Sequence, residues 1–387
     1  MIIFSVAPKR IGMLDFLITF IHNFKHYNKK FIPIILFFDK ELFLEFKKNI
    51  VLYKLLKLNG YYLLFNLPKI KILNRFLRLL ILMPFLIFFL LKKNNMVLIY
   101  GSITSVIDKL LFLFNKCRGI TYTYLANNTY NDLINRYFDS NDNPINRKND
   151  KVTFLKKSNP GDALLVNSLK AKKFLRLKGY KKFKIIGFPF LNNPFQKFIK
   201  FNSFKILNEE LNMNFSSKDK INSILINKFW GRWSNQNYSW LKKNLNEIIN
   251  IINKQYPEGK ILIRAYPFKN LGLEKILKKI KKPNIYISNM HPSSLSCISQ
   301  NILSIAQSSV CLSCVAFEKP YFEISRINFE QKKLYRNGSI YSNYCWVFNN
   351  LTKFKKSFNR KKKIKISKKN FKKKIGHKEI NFNNLIF

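Results

Sequence analysis

Acidic residues are scarce in this chain. Only 20 Asp and Glu stand against 70 Lys and Arg in 387 residues, a formal net charge of +50. Such a surplus suits nucleic acid, an anionic membrane or an anionic substrate. Part of it follows from a composition rich in Lys, Asn, Ile, Phe and Leu along the whole length, as an AT-rich coding sequence would impose. Nucleic acid is not expected, because the chain lacks zinc-ligand spacing, an RNA-binding aromatic signature and a helix-turn-helix pattern. Paired cysteines are lacking too. The five cysteines, at 117, 297, 311, 314 and 345, contain one CxxC and no second pair, so a zinc site is not expected. Unpaired cysteines suit a reducing cytoplasm.

No apolar run reaches the roughly 20 residues needed to span a bilayer. The longest, residues 79–91, has 13 residues, contains Pro84 and is bounded by Arg78 and Lys92-Lys93. It reads either as a buried crossover helix or as a monotopic membrane contact. The N-terminus lacks a basic lead and a small-residue cleavage site, so it reads as a first strand rather than a signal peptide. Residues 101–105 follow a strand but lack the glycine spacing of a dinucleotide or phosphate loop, which leaves a turn and a helix cap.

What the chain does have is alternation. Strand-like runs at 2–6, 31–38, 61–65, 97–100 and 120–125 are separated by helical patterns through about 25 and at 41–58, 70–91 and 106–114. After a polar interval at 140–151 come a strand at 164–167, a helix to 177 and a strand from 185. Residues 197–220 look like a linker or an edge. A second set follows, with strands at 221–227, 260–264 and 284–288 and helices at 240–254 and 273–281. The expected fold is α/β, two Rossmann-like doubly wound domains facing a cleft, the GT-B arrangement. The expected divisions are an N-terminal Rossmann-like domain at 1–150, a connecting segment at 151–220, a C-terminal Rossmann-like domain at 221–350 and a basic tail at 351–387.

Residues 302–323 carry the sharpest local signal. A strand stops at Ser308-Ser309, a helical pattern follows, and Lys319-Pro320 opens another strand, which makes one βαβ unit. Serines at a strand's carboxyl end and a helix N-terminus suit a phosphate, and they equally suit plain helix capping. An aromatic segment at 229–240, with Trp230, Arg232, Trp233, Tyr238 and Trp240, is either a lip that stacks on sugar or base or a loop anchored by buried rings.

With these blocks in place, the C-terminal half resembles bacterial sialyltransferases of glycosyltransferase family 52 and the related capsular polysialyltransferases. Arg264-Ala265-Tyr266-Pro267 stands where those families carry Lys-x-His-Pro, Pro292-Ser293-Ser294-Leu295 where they place a Pro-containing loop, and Ser308-Ser309 at their serine pair near the donor phosphate. In the N-terminal half, residues 124–132 occupy the place of an acidic loop, and Pro8-Lys9 that of an acceptor-side loop. The resemblance implies donor contacts from Arg264, Ser308, Ser309 and Lys319, and acceptor-side positions at Lys9, Asn127 and Asn128. It departs in chemistry. Asn127-Asn128 cannot take a proton, so Asp132 becomes the candidate base, unless it caps the helix after it. Tyr266 replaces the family's histidine. His291 either supplies the lost acid or is an exposed loop histidine.

The implied activity is a metal-independent glycosyltransferase of surface polysaccharide, capsule or lipooligosaccharide. It would take sialic acid or a related sugar from a CMP-linked donor and need no cofactor. The second reading is an inactive binding partner that keeps the fold, or a transferase with another donor. Between Glu330 and Glu379 there is no acidic residue, and 13 Lys/Arg fall within residues 353–374 among Phe354, Phe358, Ile364, Ile366 and Phe371. That stretch is expected either as a solvated tail or as a contact with the bilayer. The corresponding partners are a nucleotide-activated sugar, a glycan or lipid-linked acceptor and the anionic inner-membrane surface, in a cytoplasmic, peripheral location.

Overall fold

The structure is a computed structural model and describes residues 1–8, 11–68, 70–125, 161–177, 180–227, 234–265, 277, 280, 283–306, 308–324, 339, 341–358, 364–375 and 382–385. Two compact units divide the chain, Met1–Phe195 with Lys374–Phe387 and Gln196–Lys373.

The first unit alternates β1 (Ile2–Val6), α1 (Ile11–Tyr27), β2 (Ile32–Phe37), α2 (Lys40–Lys48), α3 (Ile50–Asn59), β3 (Tyr61–Leu64), α4 (Lys71–Leu91), β4 (Asn95–Tyr100), α5 (Val106–Lys116) and β5 (Gly119–Tyr124). It continues with β6 (Ala163–Val166), α6 (Leu169–Leu177) and β7 (Phe183–Ile185). The seven strands are parallel in the order β3-β2-β1-β4-β5-β6-β7. Parallel neighbours need crossovers, and helices on both faces let central strands such as β4 be apolar almost throughout. The helix expected at 41–58 is two helices. Asn49 ends α2, and its Oδ1 accepts the amide of Leu52 to start α3. The turn-and-cap reading at 101–105 describes what is there. Gly101 holds a φ of 85°, and Ser105 caps α5 in a reciprocal box with Asp108.

The expected connecting segment at 151–220 is corrected on two counts. Strands β6 and β7 extend the first sheet. Residues expected as linker form α7 (Asn193–Leu211), with Phe195, Ile199, Ile206 and Leu207 buried at helical spacing. Asn and Lys between them dilute the pattern without breaking its period.

The second unit continues with β8 (Ile221–Ile226), α8 (Ser234–Gln255), β9 (Lys260–Ala265), β10 (Ile285–Ile287), α9 (Pro292–Ile298), β11 (Asn301–Ile305), α10 (Val310–Ala316), β12 (Tyr321–Ile324), β13 (Trp346–Phe348), α11 (Leu351–Phe358) and α12 (Lys368–Ile375). Its six strands are parallel in the order β10-β9-β8-β11-β12-β13. In each sheet the order runs outward from the first strand and then reverses to its other side. That reversal is the doubly wound pattern.

The basic tail is also corrected. Phe354 and Phe358 on α11 pack edge-to-face with Phe322, and Phe354 likewise with Phe348, inside the second unit's core. Phe371 on α12 is fully buried edge-on against Tyr344. Phe382 then packs among Phe20, Phe24 and Tyr27 of the first unit. With these rings inside, the described residues of 351–387 are not a solvated tail, and Phe354, Phe358 and Phe371 are not free for a bilayer contact. The long lysines sit outside while the aromatic positions, spaced for a helix, turn inward.

The buried-crossover reading of residues 79–91 is corrected in part. Only Leu82, Leu86 and Phe89 of α4 are buried. The aromatic segment differs as well: α8 begins at Ser234, so Trp240 lies on a helix and packs against the second core. Trp230, Arg232 and Trp233 lie outside the described residues.

Candidate functional site

Open parallel sheets bind ligands at the carboxyl ends of their strands, beside the point where strand order reverses. In the second unit that point lies between β8 and β11. Asn227, just past β8, closes it. Its Nδ2 donates to Ser304 Oγ at 2.5 Å and to the carbonyls of Ile305 and Ala306, each at 3.3 Å. Ala306 is held at φ 69°. A left-handed conformation costs a residue with a β-carbon about 1–2 kcal/mol, and such strain concentrates at functional sites.

Alternation sorts the two faces of this sheet. Ile224, Ile226, Ile261, Ile263, Leu303, Ile305, Phe322 and Ile324 enter the apolar core with α8 and α11. Residues between them project from the other face. There the register aligns Arg264, Leu225, Ser304 and Glu323 in one row across β9, β8, β11 and β12. Arg264, Ser304 and Glu323 are all buried.

Arg264 is the anchor of the site. Its Nε donates to the carbonyl of Met290 at 2.7 Å, which fixes the loop after β10. Glu210, at the end of α7, accepts from Ser288 Oγ at 2.6 Å and from the Asn289 amide at 2.5 Å. Burial pushes the Glu210 carboxyl above its ordinary range, against the pull of those two hydrogen bonds and of the Arg264 charge.

His291 caps α9 and is 3% exposed, which overturns the exposed-loop alternative. Its Nδ1 accepts the Ser293 amide at 3.1 Å, so the neutral ring carries its proton on Nε2. Helix α9 is tied to α10 by Ser293 Oγ with Ser313 Oγ at 3.1 Å and by Ser296 Oγ with Cys314 Sγ at 3.3 Å. Cys311 and Cys314 are fully buried, and burial pushes the Cys314 thiol up to about 12.

Ser308 and Ser309 lie where β11 turns into α10. Ser308 Oγ accepts the Val310 amide at 3.3 Å, and Ser309, already helical, makes no side-chain capping bond. Lys319, expected as a donor contact, lies on the amino side of β12. A seven-residue helix of about 10 Å carries the chain back from the carboxyl edge toward the amino edge before reaching it. Its charge faces Cys297 near the end of α9 instead. Lys9, Asn127, Asn128, Asp132 and Tyr266 lie outside the described residues. In sequence they follow β1, β5 and β9. Glu210 was missed, although a Glu209-Glu210 pair in so basic a chain was a legible signal.

The two domains, each with this strand order, define a two-Rossmann, GT-B class of fold, and comparison with known proteins places it there. No family model and no curated protein sequence matches the chain. Solved structures do match. The wall teichoic acid polymerase TagF, as its H444N variant, is similar at a TM-score of 0.55 with 12% identity, over 99% of this chain and 85% of that one. The UDP-GlcNAc 2-epimerase from Neisseria meningitidis, bound to UDP-GlcNAc, is similar at 0.52 with 13% identity, over 93% and 91%. At these identities the likeness is one of fold.

Proposed function

We propose that this chain is a GT-B glycosyltransferase that takes its sugar from a nucleotide-activated donor. The observation that carries the reading is the set of buried Arg264 and His291 with the half-buried Glu210 at the carboxyl edge of the second sheet, beside its switch point. A buried guanidinium held by its Nε and balanced by one carboxylate is suited to the phosphate of a leaving nucleotide. Ser308 and Ser309 add hydroxyl donors, and His291 is the donor-side acid. In the transfer, the acceptor oxygen attacks the anomeric carbon while the sugar–phosphate bond breaks. The nucleotide leaves with the bonding electrons, and the acceptor proton passes to a base. Asp132 is assigned that base, and Tyr266 a hydrogen bond to phosphate, on sequence alone.

The finer reading is a CMP-linked donor of sialic acid or a related sugar, with a surface-polysaccharide or lipid-linked acceptor. It rests on the family-52-like blocks. Structures of similar fold include one bound to UDP-GlcNAc and a TagF variant soaked with CDPG, so other pyrimidine nucleotides belong in the test.

That test is thermal stabilisation by CMP, CDP, UDP, GDP and CMP-sialic acid, on wild type, Arg264→Met and Ser308→Ala/Ser309→Ala. A ligand at a hundred times its Kd adds about 2.7 kcal/mol to the state that binds it. Cytidine-selective stabilisation lost in both variants is the expected result. A response to UDP alone moves the donor and keeps the enzyme. Silence toward every nucleotide refutes the donor site and leaves the inactive partner, which the non-basic Asn127-Asn128 pair favours.

A further inference from the structure

Helix α4 carries two apolar faces and needs only one of them for folding. Leu82, Leu86 and Phe89 pack against Phe4, Val97 and Leu111 in the first core. On the adjacent side, about 100° round the helix, Ile72, Phe76, Leu80, Met83, Ile87 and Leu90 form an unbroken stripe at spacings of four and three, each 43–82% exposed. The stripe opens on the order of 600 Å² of apolar residue surface, at the top of the roughly 300–600 Å² of the largest patch on a typical monomer. Leu113 and Val106 of the neighbouring α5 are exposed as well.

The charge around the stripe selects its occupant. Residues 46–107 contain ten Lys and Arg and no acid. Lys71 and Arg75 flank the start of the stripe, Lys92 and Lys93 its end, and all four are exposed. Arg118 reaches the α4 terminus through a bond from its guanidinium to the Leu91 carbonyl at 3.2 Å. A second copy seated here by twofold symmetry would set these cations against their own counterparts. Anionic lipid headgroups complement them, and acyl chains complement the stripe.

We propose that α4 docks the first domain on an anionic bilayer, lying in the interface with its outer stripe among the upper acyl chains. By length and apolar content the helix could cross a membrane. Crossing would pull Leu82, Leu86 and Phe89 out of the core and bury Lys71, Arg75 and Arg78 in lipid, at about 2.5–3.5 kcal/mol for each cation at mid-membrane. The docking is independent of the donor chemistry, because it uses only first-domain residues.

The experiment is co-sedimentation of the full chain with vesicles of phosphatidylcholine alone or with 30% phosphatidylglycerol, at low, physiological and high salt. Binding should need the anionic lipid and weaken with salt. Leu80→Asn/Ile87→Asn should bind at least tenfold less at an unchanged melting temperature, since both positions are exposed. Lys92→Gln/Lys93→Gln should bind less and with a shallower salt dependence. Absence of vesicle binding at low salt overturns the proposal, as does binding indifferent to the apolar pair. Resistance to alkaline carbonate overturns it in favour of a span. A concentration-dependent dimer in lipid-free buffer, lost in the same apolar variant, overturns it in favour of self-association. Every one of these outcomes leaves the nucleotide test untouched.

Discussion

Removing the Glu210 carboxylate tests whether the candidate site is a coupled unit. Glu210→Ala leaves two donors without their acceptor, the Ser288 hydroxyl and the Asn289 amide. Asn289 is exposed, so its N–H returns to water at little cost. Ser288 is fully buried and keeps only the amide of Met290, which it accepts. A hydrogen bond to a charged group is worth about 1.5–3 kcal/mol, and the half-exposed carboxylate's attraction to Arg264 is discounted by solvent, so the expected loss is about 2 kcal/mol. The reporter is built in. All four tryptophans, at 230, 233, 240 and 346, fall within Gln196–Lys373, so tryptophan fluorescence in urea follows the second domain alone. The pH dependence has a defined sign. The folded state holds the Glu210 proton more tightly than the unfolded chain does. Its contribution is therefore full below the ordinary glutamate value of about 4.3 and is lost as pH rises through the raised folded value. Glu210→Gln should remove that fall. A loss under about 0.5 kcal/mol, or one equal to that of the exposed control Glu258→Ala, would refute the reasoning.

Two further substitutions probe the same domain. Ala306→Gly relieves a left-handed φ of 69° and should raise second-domain stability by about 0.5–1 kcal/mol by the same urea assay; no gain would mean the backbone relaxes without it. Phe354→Ala empties a fully buried ring position among Phe322, Phe348 and Phe358 and should cost about 3–5 kcal/mol, whereas a solvated tail would lose almost nothing.

Most of the alternation of strand and helix was readable from period alone, but not that β6 and β7 extend the first sheet and β13 the second. A strand buried on both faces must be apolar throughout, and its crossover must carry a helical stripe, whatever lies beside it. The site was readable where its residues sit in local frames, as with Arg264 at a strand end, His291 before Pro292 and the serines before α10. It was not readable where partners come from afar. Glu210 meets Ser288 across 78 positions. Lys319 follows the serines closely in sequence but enters at the other end of α10, because that helix carries the chain toward the other edge of the sheet.

The sequence by itself determined the class of structure, two doubly wound α/β domains, because backbone hydrogen bonding and side-chain period leave few other ways to bury these runs. Only the tertiary structure decided which apolar surfaces were used. Phe354, Phe358 and Phe371, set among lysines, went inside because a sheet edge and a core face were open to them. The outer stripe of α4, the most apolar helix among the described residues, stayed outside because its other face had already filled the space against the sheet. Composition cannot distinguish these two cases. Burial depends on what else occupies the neighbouring volume, and that is a property of the packed chain.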